Sequence, residues 1–181
     1  SSRCVYGTDL AGALSRVREL GVKGFYTGKA ADLLVAEMKS GGGLLTHEDL
    51  AGYKTSWRQP IKTAYKEYQL ISMPPSSSGG VALAQMAEML EAYPLAEYGF
   101  QSTKAVQLTV EVMRRAYADR AEYLGDSDFY HVPTDSLLND QYLAGRMADF
   151  HADSAGSSDF IGAGPTPLRE TYDSPHLSPV I

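Results

Sequence analysis

The sequence predicts an α+β chain in which helices dominate and one hairpin supplies the strands. Apolar residues recur at helical spacing in five separate segments, one stretch alternates with a period of two, and there is no internal repeat or heptad run.

Thr8 to Leu20 places Leu10, Leu14 and Val17 on one helical face, with Thr8 in the position of an N-cap and Gly21 just past the end. A second helix of about ten residues follows. Thr27 caps it, Ala30, Ala31, Leu33, Leu34 and Met38 form its broad apolar face, and Gly41, Gly42 and Gly43 stop it. Thr46 and Asp49 have the spacing of a capping box, which predicts a short helical turn from His47 to Tyr53.

From Pro60 to Met73 the period changes. Ile61, Thr63 and Tyr65 alternate with Lys62 and Ala64, and Lys66 and Glu67 stand where a tight turn would return the chain along Tyr68 to Met73. Pro74 and Pro75 end the second strand because proline lacks the amide a ladder needs. Ser76 to Gly80 bridge into a helix from Val81 to Ala92 carrying Leu83, Met86, Ala87 and Leu90. The longest periodic segment, Ser102 to Tyr123, sets Val106, Val110, Met113 and Tyr117 on one face, with Arg114, Arg115, Asp119 and Glu122 around the other. A last helix is predicted from Ser136 to Phe150. Residues 152–181 then turn rich in Ser, Gly and Pro, the composition of a surface arm or a disordered tail.

The 181 residues are 44% hydrophobic and 21% charged, enough for one core. A net charge of -6 with scattered Lys and Arg excludes the clustered basic surface that nucleic acid or anionic lipid demands. Cys4 is the single cysteine, so neither an internal disulfide nor a cysteine-based zinc site can form. No stretch approaches the roughly 20 apolar residues of a membrane helix. The first residues lack the pattern of a signal peptide, so any export signal is expected upstream or removed.

Gly24 to Lys29 superficially suggests a phosphate loop, but only three residues separate the glycines and Ala30 follows the lysine. His47, His131, His151 and His176 lie far apart and form no helical ligand pair, so no metal is assigned. Asp119, Glu122, Asp126 and Asp128 are close in sequence but lack the remaining ligands and turn glycine of a calcium loop; they read as a helix end and a solvated turn.

Ser76, Ser77, Ser78, Gly79 and Gly80 have two readings. They could present hydroxyls and backbone donors to an anion at a helix N-terminus, or Ser78 could cap the helix while the glycines permit close packing against the hairpin. No base for a nucleophilic serine is identifiable nearby. From the residues alone the chain is an α+β or αβ-layered piece.

Four segments add a resemblance: Gly24-Phe25-Tyr26-Thr27-Gly28, Gly41-Gly42-Gly43-Leu44-Leu45-Thr46-His47-Glu48-Asp49-Leu50, Pro74-Pro75-Ser76-Ser77-Ser78-Gly79-Gly80, and Tyr117-Ala118-Asp119-Arg120-Ala121-Glu122-Tyr123-Leu124-Gly125-Asp126. In this order, with Trp57 and Pro60 between the second and third, they resemble the gamma-glutamyltranspeptidase family from about Gly7 to Pro133. The resemblance implies the αββα sandwich of an N-terminal-nucleophile hydrolase, with these helices on one flank and the hairpin joining a sheet. It implies a precursor that cleaves itself into large and small subunits, the small one beginning with a nucleophilic threonine that attacks the gamma-glutamyl amide of glutathione or a related donor. No cofactor is implied.

Residues 1–151 then correspond to the carboxy-terminal region of the large subunit, and 152–181 to the tail leading toward the processing site. The resemblance implies as partners the remainder of that subunit and the small subunit, and a periplasmic or extracellular location. The family's Thr-Thr-His sequence is expected within a few residues of Asp173-Ser174-Pro175, where His176-Leu177-Ser178-Pro179-Val180-Ile181 stands instead. No catalytic residue is therefore carried over, and the substrate-gripping arginine is expected upstream. A related cephalosporin or glutaryl acylase and a non-catalytic helical interaction module are the alternatives. Helices shaped to cover an absent sheet would leave the isolated chain marginally stable or oligomeric.

Overall fold

The computed structural model describes residues 7–165. Cys4, His176 and the segment from Asp173 to Ile181 lie outside the described residues. The chain divides into two units, residues 1–57 and 58–181.

The first unit is helical: α1 (Thr8–Leu20), α2 (Lys23–Tyr26), α3 (Lys29–Ser40) and α4 (His47–Gly52). Two of the predicted caps move by one residue. Gly7, not Thr8, occupies the cap position of α1. Thr27 closes the short helix α2 by donating its hydroxyl to the Lys23 carbonyl at 2.9 Å. Gly28 caps α3 at φ 62, a left-handed value that glycine adopts without a Cβ penalty. Gly24, the first glycine of the would-be phosphate loop, has a packing role instead. A Cβ there would lie 2.2 Å from the Arg16 carbonyl oxygen, so only glycine lets α2 approach α1 this closely.

Ala31, Val35 and Leu50 form the core of this unit, with Tyr26, Leu34 and Leu45 packed around them. The predicted α3 face is thus only partly correct, since Leu33 is exposed and Val35 buried. The α1 stripe of Leu10, Leu14 and Val17 is exposed, and no residue of α1 is buried. The capping box of α4 is complete. Asp49 accepts the Thr46 amide at 2.8 Å, and the Asp49 amide donates back to the Thr46 hydroxyl at 3.2 Å.

The second unit opens with β1 (Ile61–Tyr65) and β2 (Tyr68–Ser72), an antiparallel pair in the register Ile61 to Ser72 and Tyr65 to Tyr68. Lys66 takes φ 53 in the connecting turn. Helix α5 (Gly79–Glu91) packs on the hairpin and α6 (Thr103–Tyr123) packs on α5. Ser102 caps α6 by accepting the Ala105 amide at 3.2 Å. Met89, Leu108, Val112, Ala116, Leu143 and Met147 form the core.

Instead of one helix from Ser136 to Phe150 there are two, α7 (Thr134–Leu137) and α8 (Asp140–Arg146). Asn139 separates them. Its backbone is extended and its side chain accepts the Tyr142 amide, starting a new helix where periodicity alone suggested continuation.

Candidate functional site

Ser76 to Gly80 link β2 to α5. Close packing explains Gly80, where a Cβ would meet the Met73 carbonyl oxygen at 2.0 Å and Ile61 Cγ1 at 3.3 Å. The capping role predicted for Ser78 is not what the structure shows. Ser78 holds the cap position, but its hydroxyl makes no cap bond and accepts from Arg120 Nε at 2.9 Å. Ser77 Oγ accepts the Gly79 amide at 3.4 Å. Among the described residues, no histidine or lysine hydrogen-bonds these hydroxyls, so no activated nucleophile is assembled here.

The loop is instead anchored to the turn after α6. Ser127 Oγ donates to the Pro75 carbonyl at 3.1 Å and accepts from Arg58 at 3.2 Å, while a second Arg58 nitrogen binds Asp128 at 2.6 Å. The hydrogen bond from Arg58 holds the Asp128 carboxyl below the usual carboxylate range. The acidic cluster read from the sequence is consequently divided. Asp128 pairs with Arg58, Asp126 accepts the Asp128 amide at 3.0 Å, and Asp119 is buried and turned to other partners. Among the described residues, no group of three or more His, Cys, Asp or Glu side chains converges as metal ligands do.

The larger correction concerns the long helix. Val106, Val110, Met113 and Tyr117 of α6, the apolar face read from the periodicity, are 51%, 40%, 41% and 52% exposed, whereas Glu111, Arg115 and Asp119 are at most 3% exposed. The buried stripe is Leu108, Glu111, Val112, Arg115, Ala116 and Asp119, equally regular at helical spacing. Its charges are tolerated because they are neutralised locally: Glu111 faces Arg114 and Arg115, Asp119 faces Arg146, and Arg115 also pairs with the exposed Asp149.

Arg115 donates to the Arg146 carbonyl at 2.6 Å, to Glu111 at 2.8 Å and to Asp149 at 2.6 Å. Gln85 of α5 donates to Asp119 at 3.0 Å and to the Leu137 carbonyl at 3.1 Å, tying α5, α6 and α7 together. Burial would push the Glu111 carboxyl up, but hydrogen bonds from Arg115 and the Gly156 amide, with the Arg114 and Arg115 charges, hold it below its ordinary value. The hydrogen bond from Arg115 does the same for Asp149. Burial, followed by the Asp119 charge, pushes the Tyr142 phenol up.

The predicted surface arm is also bound where it is described. The Gly156 amide donates to Glu111 at 3.0 Å and the Gly164 amide to Asp119 at 2.9 Å, while Arg146 donates to the Gly162 carbonyl at 2.8 Å. Opposite charges alternating at i, i+4 through Glu111, Arg115 and Asp119, on the stripe that carries Leu108 and Val112, were the available signal for this network.

Helices carrying one hairpin in this order form the helix-rich portion of an N-terminal-nucleophile hydrolase fold. The crystal structure of Helicobacter pylori gamma-glutamyltranspeptidase matches it with a TM-score of 0.80 at 40% identity, covering 92% of this chain and 48% of that one. The sequence matches the gamma-glutamyltranspeptidase family over residues 2–176, and the chain belongs to that family.

It is 43% identical over 170 residues to the glutathione hydrolase proenzyme of Pseudomonas sp. (strain A14), covering 94% of this chain and 29% of that protein. It is also 37% identical over 150 residues to the acylase ACY 1 proenzyme of Pseudomonas sp. (strain SE83), covering 83% of this chain and 27% of that protein. The chain thus spans under a third of the length of these curated relatives. Among the described residues, no helix is long and apolar enough to cross a membrane.

Proposed function

We propose that this chain is the carboxy-terminal helical region of a gamma-glutamyltranspeptidase large subunit and serves as scaffold rather than as the bearer of the catalytic groups. The complete protein would transfer or hydrolyse the gamma-glutamyl group of glutathione and related amides, in the periplasm or outside the cell. The nucleophile is an amino-terminal threonine of the small subunit, with its own amine as base. Residues 1–151 supply the scaffold and 152–181 lead toward the processing site. The family match over residues 2–176 carries this reading. It is supported by an α6 face of Val106, Val110, Met113 and Tyr117 that suits the rest of the fold.

The test is release of chromophore from a gamma-glutamyl anilide by the chain alone and after mixing with the remainder of the enzyme. Silence alone and turnover on mixing are expected. Turnover by the chain alone would overturn the scaffold reading, and silence in both would favour a non-catalytic helical module. The acylase ACY 1 match favours a second reading, a related acylase, which turnover of a glutaryl or cephalosporin amide in preference to the gamma-glutamyl anilide would establish.

A further inference from the structure

Residues 151–164 form an irregular strap whose backbone is held by side chains of α6 and α8. Gln107 donates to the carbonyls of His151 and Ser154 at 3.0 and 2.9 Å. Glu111 accepts the Gly156 amide and Arg114 donates to the Gly156 carbonyl. Arg146 donates to the Gly162 carbonyl. Asp119 accepts the Gly164 amide and the Tyr123 hydroxyl donates to the Gly164 carbonyl.

At two of these attachments an added side chain would crowd the groups that hold the strap. A Cβ on Gly156 would lie 2.9 Å from Glu111 Oε2, and one on Gly164 would lie 2.5 Å from the Tyr142 oxygen and 2.7 Å from Arg146 Cδ. A segment gripped by its backbone at two glycines would, on slipping by a residue, press a side chain against Glu111 or against Tyr142 and Arg146, which would have to leave their places in the network. Carboxylates are a costly means of mere adhesion, because apolar packing of the same volume is usually at least as stabilising. They do fix direction, since each accepts one particular amide.

We propose that Glu111 and Asp119 are positioning residues for processing of the precursor: they set the register of residues 156–164 and so the point from which the chain continues through Asp173-Ser174-Pro175. This rests on the reading of the parent protein as a self-cleaving proenzyme. The net reaction is hydrolysis of one peptide bond, in which the C–N bond breaks, water supplies hydroxyl to the acyl carbon and the new amino terminus takes the proton. Glu111 and Asp119 act on it through the chain they hold.

The experiment uses the full-length precursor, following its conversion to two subunits by denaturing electrophoresis and amide exchange over 156–164 by mass spectrometry. Asp119→Ala, which removes the acceptor of the Gly164 amide together with the partner of Gln85 and Arg146, is expected to slow cleavage and speed strap exchange by at least about tenfold, the factor for the Gly164 charge-assisted hydrogen bond alone. Asp119→Asn, which keeps an oxygen for the Gly164 amide, is expected to fall between. Gly164→Ala, which leaves α6 intact, tests the register even if Asp119→Ala fails to fold; Lys104→Ala on the exposed side of α6 is the control. Wild-type cleavage in a variant with a loosened strap would overturn the proposal, as would slowed cleavage with unchanged strap exchange. An uncleaved wild-type precursor would instead sink the proenzyme reading, and the proposal with it.

Discussion

Gly79 and Gly80 are adjacent in sequence, yet alanine at the two positions should have opposite effects. At Gly80 an added Cβ would sit 2.0 Å from the Met73 carbonyl oxygen, a backbone atom that cannot swing aside. Restoring an ordinary carbon–oxygen contact of about 3.3 Å requires α5 and the end of the hairpin to part by roughly 1.3 Å. Overpacking of this kind costs about 1–3 kcal/mol, and more where backbone must move. Alanine returns at most about 1 kcal/mol of helix propensity.

The net loss is therefore about 2 kcal/mol, or a fall of about 4–8 °C in melting midpoint for a chain of this size. At Gly79 the nearest atom to an added Cβ is Ser77 Oγ at 3.6 Å, an ordinary contact, so Gly79→Ala should be neutral or slightly stabilising. Thermal denaturation followed by far-ultraviolet circular dichroism compares the two. Equal midpoints for Gly80→Ala and Gly79→Ala would refute the close-approach reasoning.

Three further outcomes follow from the geometry. Thr46→Ala removes the Thr46 half of a complete capping box and should cost about 1 kcal/mol, with Thr46→Ser restoring most of it in the same chemical-denaturation series. Glu111 and Asp149 have folded-state pKa values below their unfolded ones, so the stability they contribute is present above about pH 4.3 and is lost as pH falls through the lowered values. A urea midpoint that stays constant down to about pH 3 would contradict this. Val110→Asp, on the exposed face of α6, should change the stability of the chain by no more than about 0.5 kcal/mol while abolishing recovery of activity with the remainder of the enzyme. Undiminished recovery would remove that face from the assembly surface.

Local chemistry was the legible part of the sequence. The alternation of Ile61, Thr63 and Tyr65 became β1, Thr46 and Asp49 formed their capping box, and the ordered Gly, Pro and Ser segments were sufficient for the family. Burial on α6 was not legible, because two stripes share the helical period and only tertiary pairing decides between them. The polar stripe went inside, where guanidinium groups from α6 and α8 neutralise its carboxylates. At Ser76 to Gly80, close packing could be anticipated for Gly80, but the hydroxyl of Ser78 is claimed by Arg120, forty-two residues away. Such a contact leaves no mark in local spacing.

The matching of three carboxylates by three guanidinium groups inside the second unit also shapes how α6 would meet the rest of the enzyme. Glu111, Arg115 and Asp119 have already found their counterions within the segment and are already out of water, so they add little desolvation cost when Val106, Val110, Met113 and Tyr117 are covered. Association through that face should strengthen with temperature near ambient and carry a negative heat-capacity change, yet vary little between low and physiological ionic strength.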